Sequence, residues 1–275
     1  MAITEQCKAA MIKQGVLTVE LEDGSVVPAG MALMNKDVLR IALVEGDGEG
    51  AYPVGFYTDD FGRFIDDDND YFQSLVLGNG GEFPDGMEDS VRRAIVFWTD
   101  SDVEFVSIDD DPDINVFAFE TDGNLPVISL GRASFPDNNS DNDRYASYGG
   151  DVAYVGINVG LIGLPGYSDV VLNGGSFNDA IEDFLKHEFG HNFGVIHPRD
   201  AGEDLRANMD AGKEANKDIQ SVCTGVDIDD LQAYFINATM SVDSSAPNEV
   251  RRMSEYDSRA IDYLKTGVPP NAVKP

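Results

Sequence analysis

Cysteine, histidine and basic residues are scarce in this chain, and each scarcity narrows what it can be. With only 2 cysteines in 275 residues, no disulfide framework can be built. Cys7 and Cys223 leave three readings open, in this order: one bridge between them, two free thiols, or a thiolate from the N-terminal segment capping a metal. Lysine and arginine number 19 against 50 acidic residues, a formal charge of −31. Such a surface repels nucleic acid and anionic membranes. It fits a densely hydrated shell suited to salty surroundings, or Ca²⁺ binding at acidic loops, Asp66-Asp67-Asp68-Asn69-Asp70 and the stretch from Pro136 to Asp143 being the two richest in hard oxygen ligands. Runs of about twenty apolar residues are missing, so no segment reads as a membrane span. The start, Met1 to Cys7, lacks the basic and apolar stretches of a secretory signal. An extracellular setting therefore requires a signal already removed or another export route. No internal repeat or low-complexity linker occurs.

What is present is a globular composition, 42% hydrophobic, in a chain long enough to bury a sizeable core. Residues 1 to 35 hold short apolar runs such as Gly15 to Leu21 and read as an accessory hairpin or the remnant of a pro-segment. Val38 to Val44 is strand-like by its branched apolar content. From Asp85, read as a cap with Glu88 three residues on, a helix is expected with Met87, Val91, Ala94, Ile95 and Trp98 along one stripe. Val103–Ile108, Asp113–Phe119, Val127–Phe135 and Asp151–Ile157 read as further strands. Ser176 and Asp179 introduce a helix with Ile181, Leu185 and Phe189 inward. Ser254 and Asp257 begin a last one, with Ala260, Ile261 and Leu264 on one face, stopped by Gly267 and Pro269.

All 3 histidines fall in one stretch, His187-Glu188-Phe189-Gly190-His191-Asn192-Phe193-Gly194-Val195-Ile196-His197, which reads HExxHxxGxxH. On a helix, residues four apart sit one turn apart and about 40° round the axis, so His187 and His191 can put two imidazoles on one side of a metal ion. Gly194 is expected to end the helix in the left-handed conformation and to swing His197 round as a third ligand. Three nitrogens on Zn²⁺ leave a corner for water, the arrangement of a catalytic rather than a structural site. Glu188 is then placed to act as general base.

With those residues in view, the chain resembles the metzincin zinc endopeptidases, the superfamily of matrix metalloproteases, serralysins, astacins and adamalysins. Val91 to Trp98 with Phe105-Val106 and Asp113 to Val116 is similar to the first helix and next two strands of matrix metalloprotease and serralysin domains. Ala133-Ser134-Phe135-Pro136 and Gly150-Asp151-Val152 resemble their edge strand and the strand after it. The resemblance covers roughly residues 36 to 266. It implies an α+β fold: a twisted mixed five-stranded sheet with an active-site helix in residues 36–200, then a small, mostly irregular C-terminal lobe in residues 201–275 ending in a helix. It also implies a methionine turn beneath the metal, for which Met240 in Thr239-Met240-Ser241 is the preferred candidate over Met209. Leu130, Gly131, Arg132 and Ala133 would hold substrate as an added strand. Two departures stand out. Val242 occupies the place where astacins and serralysins carry a tyrosine ligand, and Pro198 is serralysin-like although the glycine-rich calcium repeats of that family are absent.

The function expected is that of a zinc-dependent endopeptidase with one catalytic Zn²⁺, acting as a secreted monomer on protein or peptide substrates, cationic ones above all. The rivals are a zinc amidase or esterase acting on small molecules, and a non-catalytic acidic cation-binding protein. Retention of Glu188 argues against the second rival, since a structural zinc has no use for a base.

Overall fold

Thr4 opens the fold by capping α1 (Glu5–Gln14), its hydroxyl accepting the Cys7 N–H at 3.2 Å. The computed structural model describes residues 3–45, 52–53, 77–120, 131–133, 136, 152–159, 177–196, 222–223, 225–226, 230, 234, 238–240 and 253–270. After α1 come β1 (Thr18–Glu20) and β2 (Val26–Pro28), paired antiparallel as a hairpin, and a single turn of helix, α2 (Met31–Met34). The strands that follow are β3 (Val38–Val44), β4 (Tyr52–Pro53) and β5 (Leu77–Gly80), then α3 (Met87–Trp98), β6 (Asp102–Phe105), β7 (Ile114–Glu120), β8 (Gly131–Ala133) and β9 (Ala153–Asn158). Two long helices complete the described elements, α4 (Phe177–Asn192) and α5 (Glu255–Thr266).

In the main sheet β6, β3, β7 and β9 lie side by side and parallel, and β8 adds on antiparallel to β9. At the far end of β7, β5 pairs antiparallel and carries β4. The protein therefore combines helices with a small antiparallel sheet and a mainly parallel one. Side chains alternate across a strand, and in β7 the alternation is plain: Ile114, Val116 and Ala118 are buried while Asn115 and Phe117 are only half-buried. The buried set joins Leu39 and Ile41 of β3 and Val155 and Ile157 of β9 in one apolar cluster with α3 and α4. α3 contributes Val91, Ala94, Ile95 and Trp98, and α4 contributes Ile181, Leu185 and Phe189, each fully or almost fully buried. Each such large side chain is worth about 1.5–3 kcal/mol of transfer free energy.

Two helix ends differ in how they are made. α3 has Gly86, whose φ of 85° is left-handed, as its N-cap residue, one position after the Asp85 that the sequence pattern implies. α5 has the full expected capping box, with Ser254 and Asp257 exchanging side-chain and backbone bonds, and it stops at left-handed Gly267.

Cys7 of α1 is bridged to Cys223, the first of the three thiol readings, so neither sulfur is available as a metal ligand. α1 also lies against α5, where Lys8 Nζ is 3.0 Å from Glu255 and the Arg259 guanidinium is 2.6 Å from Glu5. No helix among the described residues is long and apolar enough to cross a membrane.

Candidate metal centre

α4 separates its residues by face. Ala180, Ile181, Leu185 and Phe189 enter the core, while His187 and His191 stack one turn apart with ring centroids 4.9 Å apart and planes nearly perpendicular at 89°. His191 is buried and His187 half-buried; Glu188, between them in sequence, is buried.

The helix ends immediately after His191 in a way that reaches back to it. Gly194 has a φ of 87°; its N–H donates to His191 O at 2.8 Å and the Val195 N–H donates to Gly190 O at 2.9 Å. This pair of bonds is the Schellman arrangement with glycine in the left-handed position. The turn folds Val195 under the last helical turn, and its carbonyl lies 2.8 Å from His191 Nδ1. The other imidazole is held from a different part of the chain, with His187 Nδ1 3.0 Å from Thr239 O. A carbonyl only accepts, so both Nδ1 atoms carry hydrogen and the lone pair of each neutral ring sits on Nε2. A carbonyl or carboxylate on the far nitrogen is the usual way a metal-binding imidazole is oriented and made more basic. Two such rings on adjacent turns fit the donor set of Zn²⁺.

Met240, fully buried, packs against the same helix at Gly190. A Cβ at Gly190 would stand 2.3 Å from Met240 Sδ and 2.7 Å from Trp98 Cζ2, so only glycine lets the methionine and the indole come this close to α4. Trp98 Nε1 donates to Lys186 O at 2.6 Å and fixes α3 to the turn just before His187. The methionine segment is in turn fastened to α5. Asp257, buried, accepts the Thr239 N–H at 3.0 Å and the Thr239 hydroxyl at 3.2 Å, and the same carboxylate takes the Ser254 N–H and hydroxyl. Burial raises the Asp257 carboxyl above its ordinary range, against the hydrogen bonds from Ser254 and Thr239 that pull it down.

An ion group joins α4 to α3, with Glu182 and Lys186 buried and Arg93 exposed. Glu182 Oε1 is 2.7 Å from Lys186 Nζ and Oε2 is 2.6 Å from Arg93 Nε of α3. Burial pushes the Glu182 carboxyl up, but the hydrogen bonds from Lys186 and Arg93 outweigh it and hold it below the usual carboxylate value.

The structure thus places His187, Glu188 and His191 on α4 and Gly194 at its end, with Met240 against Gly190. Gly131, Arg132 and Ala133 form β8, in register with Ile157, Gly156 and Val155, and β8 runs beside α4. His197, Leu130, the competing Met209, Val242, Pro198 and the acidic stretches at Asp66–Asp70 and 137–143 lie outside the described residues. Among the described residues no group of three or more His, Cys, Asp or Glu side chains is gathered around a common point for a metal. Thr239 and Asp257 are the parts of the site that sequence reasoning missed. Asp257 was legible only as a residue at the start of the last helix, and Thr239 only as a member of the expected methionine turn, not as the partner of His187.

Comparison with protein-family models gives no match. No curated protein is similar to the chain either. Among solved structures, the GM1-bound form of the ECX AB5 holotoxin is similar over 72% of this chain, at 14% identity and a TM-score of 0.36, and this chain spans 64% of its length. A likeness at that score carries no argument about fold or function.

Proposed function

We propose that this protein is a zinc-dependent endopeptidase with a metzincin-like catalytic fold, in which His187, His191 and His197 hold the metal and Glu188 is the general base. The observation that carries this reading is the pair of imidazoles, one helical turn apart, each with Nδ1 tied to a backbone carbonyl. With Nδ1 of each ring on a carbonyl, Nε2 is the nitrogen left to serve as a metal ligand. When bound, Zn²⁺ supplies a Lewis acid and brings its water towards a pKa of about 7, from 15.7 in bulk.

The chain's own residues do the rest. Glu188, next in sequence to His187 and buried beside it, accepts the proton of the attacking water and afterwards returns it to the leaving amine. β8 offers main-chain donors and acceptors against which an extended peptide can lie as an added strand, a mode that reads backbone and leaves selectivity to side-chain pockets. The acidic surface favours cationic substrates through interactions that salt screens. The Cys7–Cys223 bridge supports an oxidising, extracytoplasmic setting.

Incubation of zinc-loaded protein with a peptide library, with new termini read by mass spectrometry, tests the reading. Cleavage within peptides is expected. Turnover confined to small amides or esters would move the assignment to a small-molecule hydrolase, and no turnover with zinc bound would leave a cation-binding role.

A further inference from the structure

Residues 7–30 do more than precede the main sheet. The Leu17 N–H donates to Gly194 O at 2.8 Å and the Ile196 N–H donates to Gly15 O at 3.0 Å, with Val16 opposite Val195 in an antiparallel bridge. These two rungs flank Val195, the residue whose carbonyl holds His191 Nδ1. The second rung fixes Ile196, the residue before His197. Val16 and Val195 are both buried, so the ladder is part of the core and not a surface contact.

Close backbone approaches wedge the segment in place on two sides. A Cβ on Gly30 would stand 2.1 Å from Phe193 O at the end of α4, and a Cβ on Gly15 would stand 1.8 Å from the Tyr256 hydroxyl of α5. The hairpin is drawn onto the same ladder, since the Ala29 N–H donates to Leu17 O at 2.9 Å. Behind it, α1 is tied to Cys223 by the disulfide and to α5 by the Lys8 and Arg259 ion pairs.

We propose that the segment Cys7–Gly30 is a strap belonging to the metal centre: it grips Gly194–Ile196, thereby orienting His191 through the Val195 carbonyl, with the Cys7–Cys223 bridge and α5 as its anchors. This rests on the zinc reading above. The strap makes the N-terminal segment a positioning element rather than an appendage. Removing its anchor loosens the metal's surroundings while the imidazoles themselves are untouched.

Gly15→Ala is the sharpest probe. The φ of Gly15 is −76°, open to any residue, so the obstacle to a methyl group is the Tyr256 hydroxyl itself. Tyr256→Phe removes that hydroxyl, which has no hydrogen-bond partner among the described residues, and with it the 1.8 Å clash, leaving the ring carbon Cζ at 3.1 Å. Zinc affinity is measured by competition with a chromophoric chelator on full-length chains whose near-ultraviolet circular dichroism is native. Expected is zinc binding about 10–100-fold weaker in Gly15→Ala, as for loss of an outer partner of a metal ligand. Most of the loss should be recovered in Gly15→Ala/Tyr256→Phe, and a similar weakening is expected in Cys7→Ser/Cys223→Ser. Folded variants that bind zinc as wild type does overturn the proposal. The exchange rate of the Ile196 amide in metal-free protein separates this failure from failure of the zinc reading. Faster exchange in Gly15→Ala supports the strap even if wild type holds no zinc, whereas unchanged protection overturns it even if zinc binds.

Discussion

His187 Nδ1 stands 3.0 Å from the carbonyl oxygen of Thr239, a residue 52 positions further along the chain. Thr239 is itself held by Asp257 of the last helix, so a helix cap, a turn and a candidate metal ligand form one connected series. Among the described residues, the groups that hydrogen-bond to the Asp257 carboxylate are all donors: two N–H groups and two hydroxyls. An amide in its place turns one acceptor into a donor and leaves buried groups unsatisfied. Asp257→Asn is therefore expected to lower stability by about 2 kcal/mol or more and, through Thr239, to weaken zinc binding about tenfold. Urea unfolding and chelator competition measure the two effects; a variant with native stability and affinity would show that Thr239 needs no anchor.

Gly190 is the contact point of α4 with Met240 and Trp98. Alanine would gain about 1 kcal/mol of helix propensity, yet its methyl would meet Sδ at 2.3 Å and Cζ2 at 2.7 Å. Overpacking at this depth costs about 1–3 kcal/mol, so Gly190→Ala is expected to be less stable than wild type. Trp98 is the sole tryptophan, which makes its fluorescence a direct reporter during chemical unfolding. A more stable variant would mean that the methionine and indole do not crowd this helix.

Glu182 gives the fold an acid limb. Its carboxyl is held below the ordinary value of 4.5 by Lys186 and Arg93 in spite of burial. A depressed folded pKa contributes stability that is present above the unfolded value and is lost as the pH falls through the folded one. In metal-free protein, Glu182→Gln should be less stable than wild type at pH 7 and should show a shallower loss of stability as the pH falls below 4.5. Thermal unfolding across that range checks it, and parallel curves for the two chains would remove the ion group from the account of acid sensitivity.

Local patterns carried most of what the sequence makes legible. Helical spacing marked α3, α4 and α5, and branched apolar runs marked β3, β6, β7 and β9 to within a few residues, because each element buries one face and its period records that face. Of the strand expected at Val127–Phe135, Gly131–Ala133 form β8 and the other residues lie outside the described ones. Gly194 was legible as a helix stop because a left-handed position favours glycine. Long-range partners were not legible. Thr239 on His187, Asp257 on Thr239, and Gly15 and Leu17 on Gly194–Ile196 are joined by backbone groups, which every residue type possesses and which leave no trace in composition or period. The start of α3 shows the same limit, since Asp85 and Gly86 are both acceptable openings and only the backbone conformation distinguishes them.

The most direct test is zinc content and peptide cleavage measured side by side in wild type and Glu188→Ala. Both chains, stripped and reloaded, are expected to retain one zinc each. Hydrolysis of internal peptide bonds should fall by about two or more orders of magnitude in the variant, the share that a positioned base contributes. A wild-type chain that holds no zinc, or a Glu188→Ala chain that cleaves at the wild-type rate, would contradict the assignment.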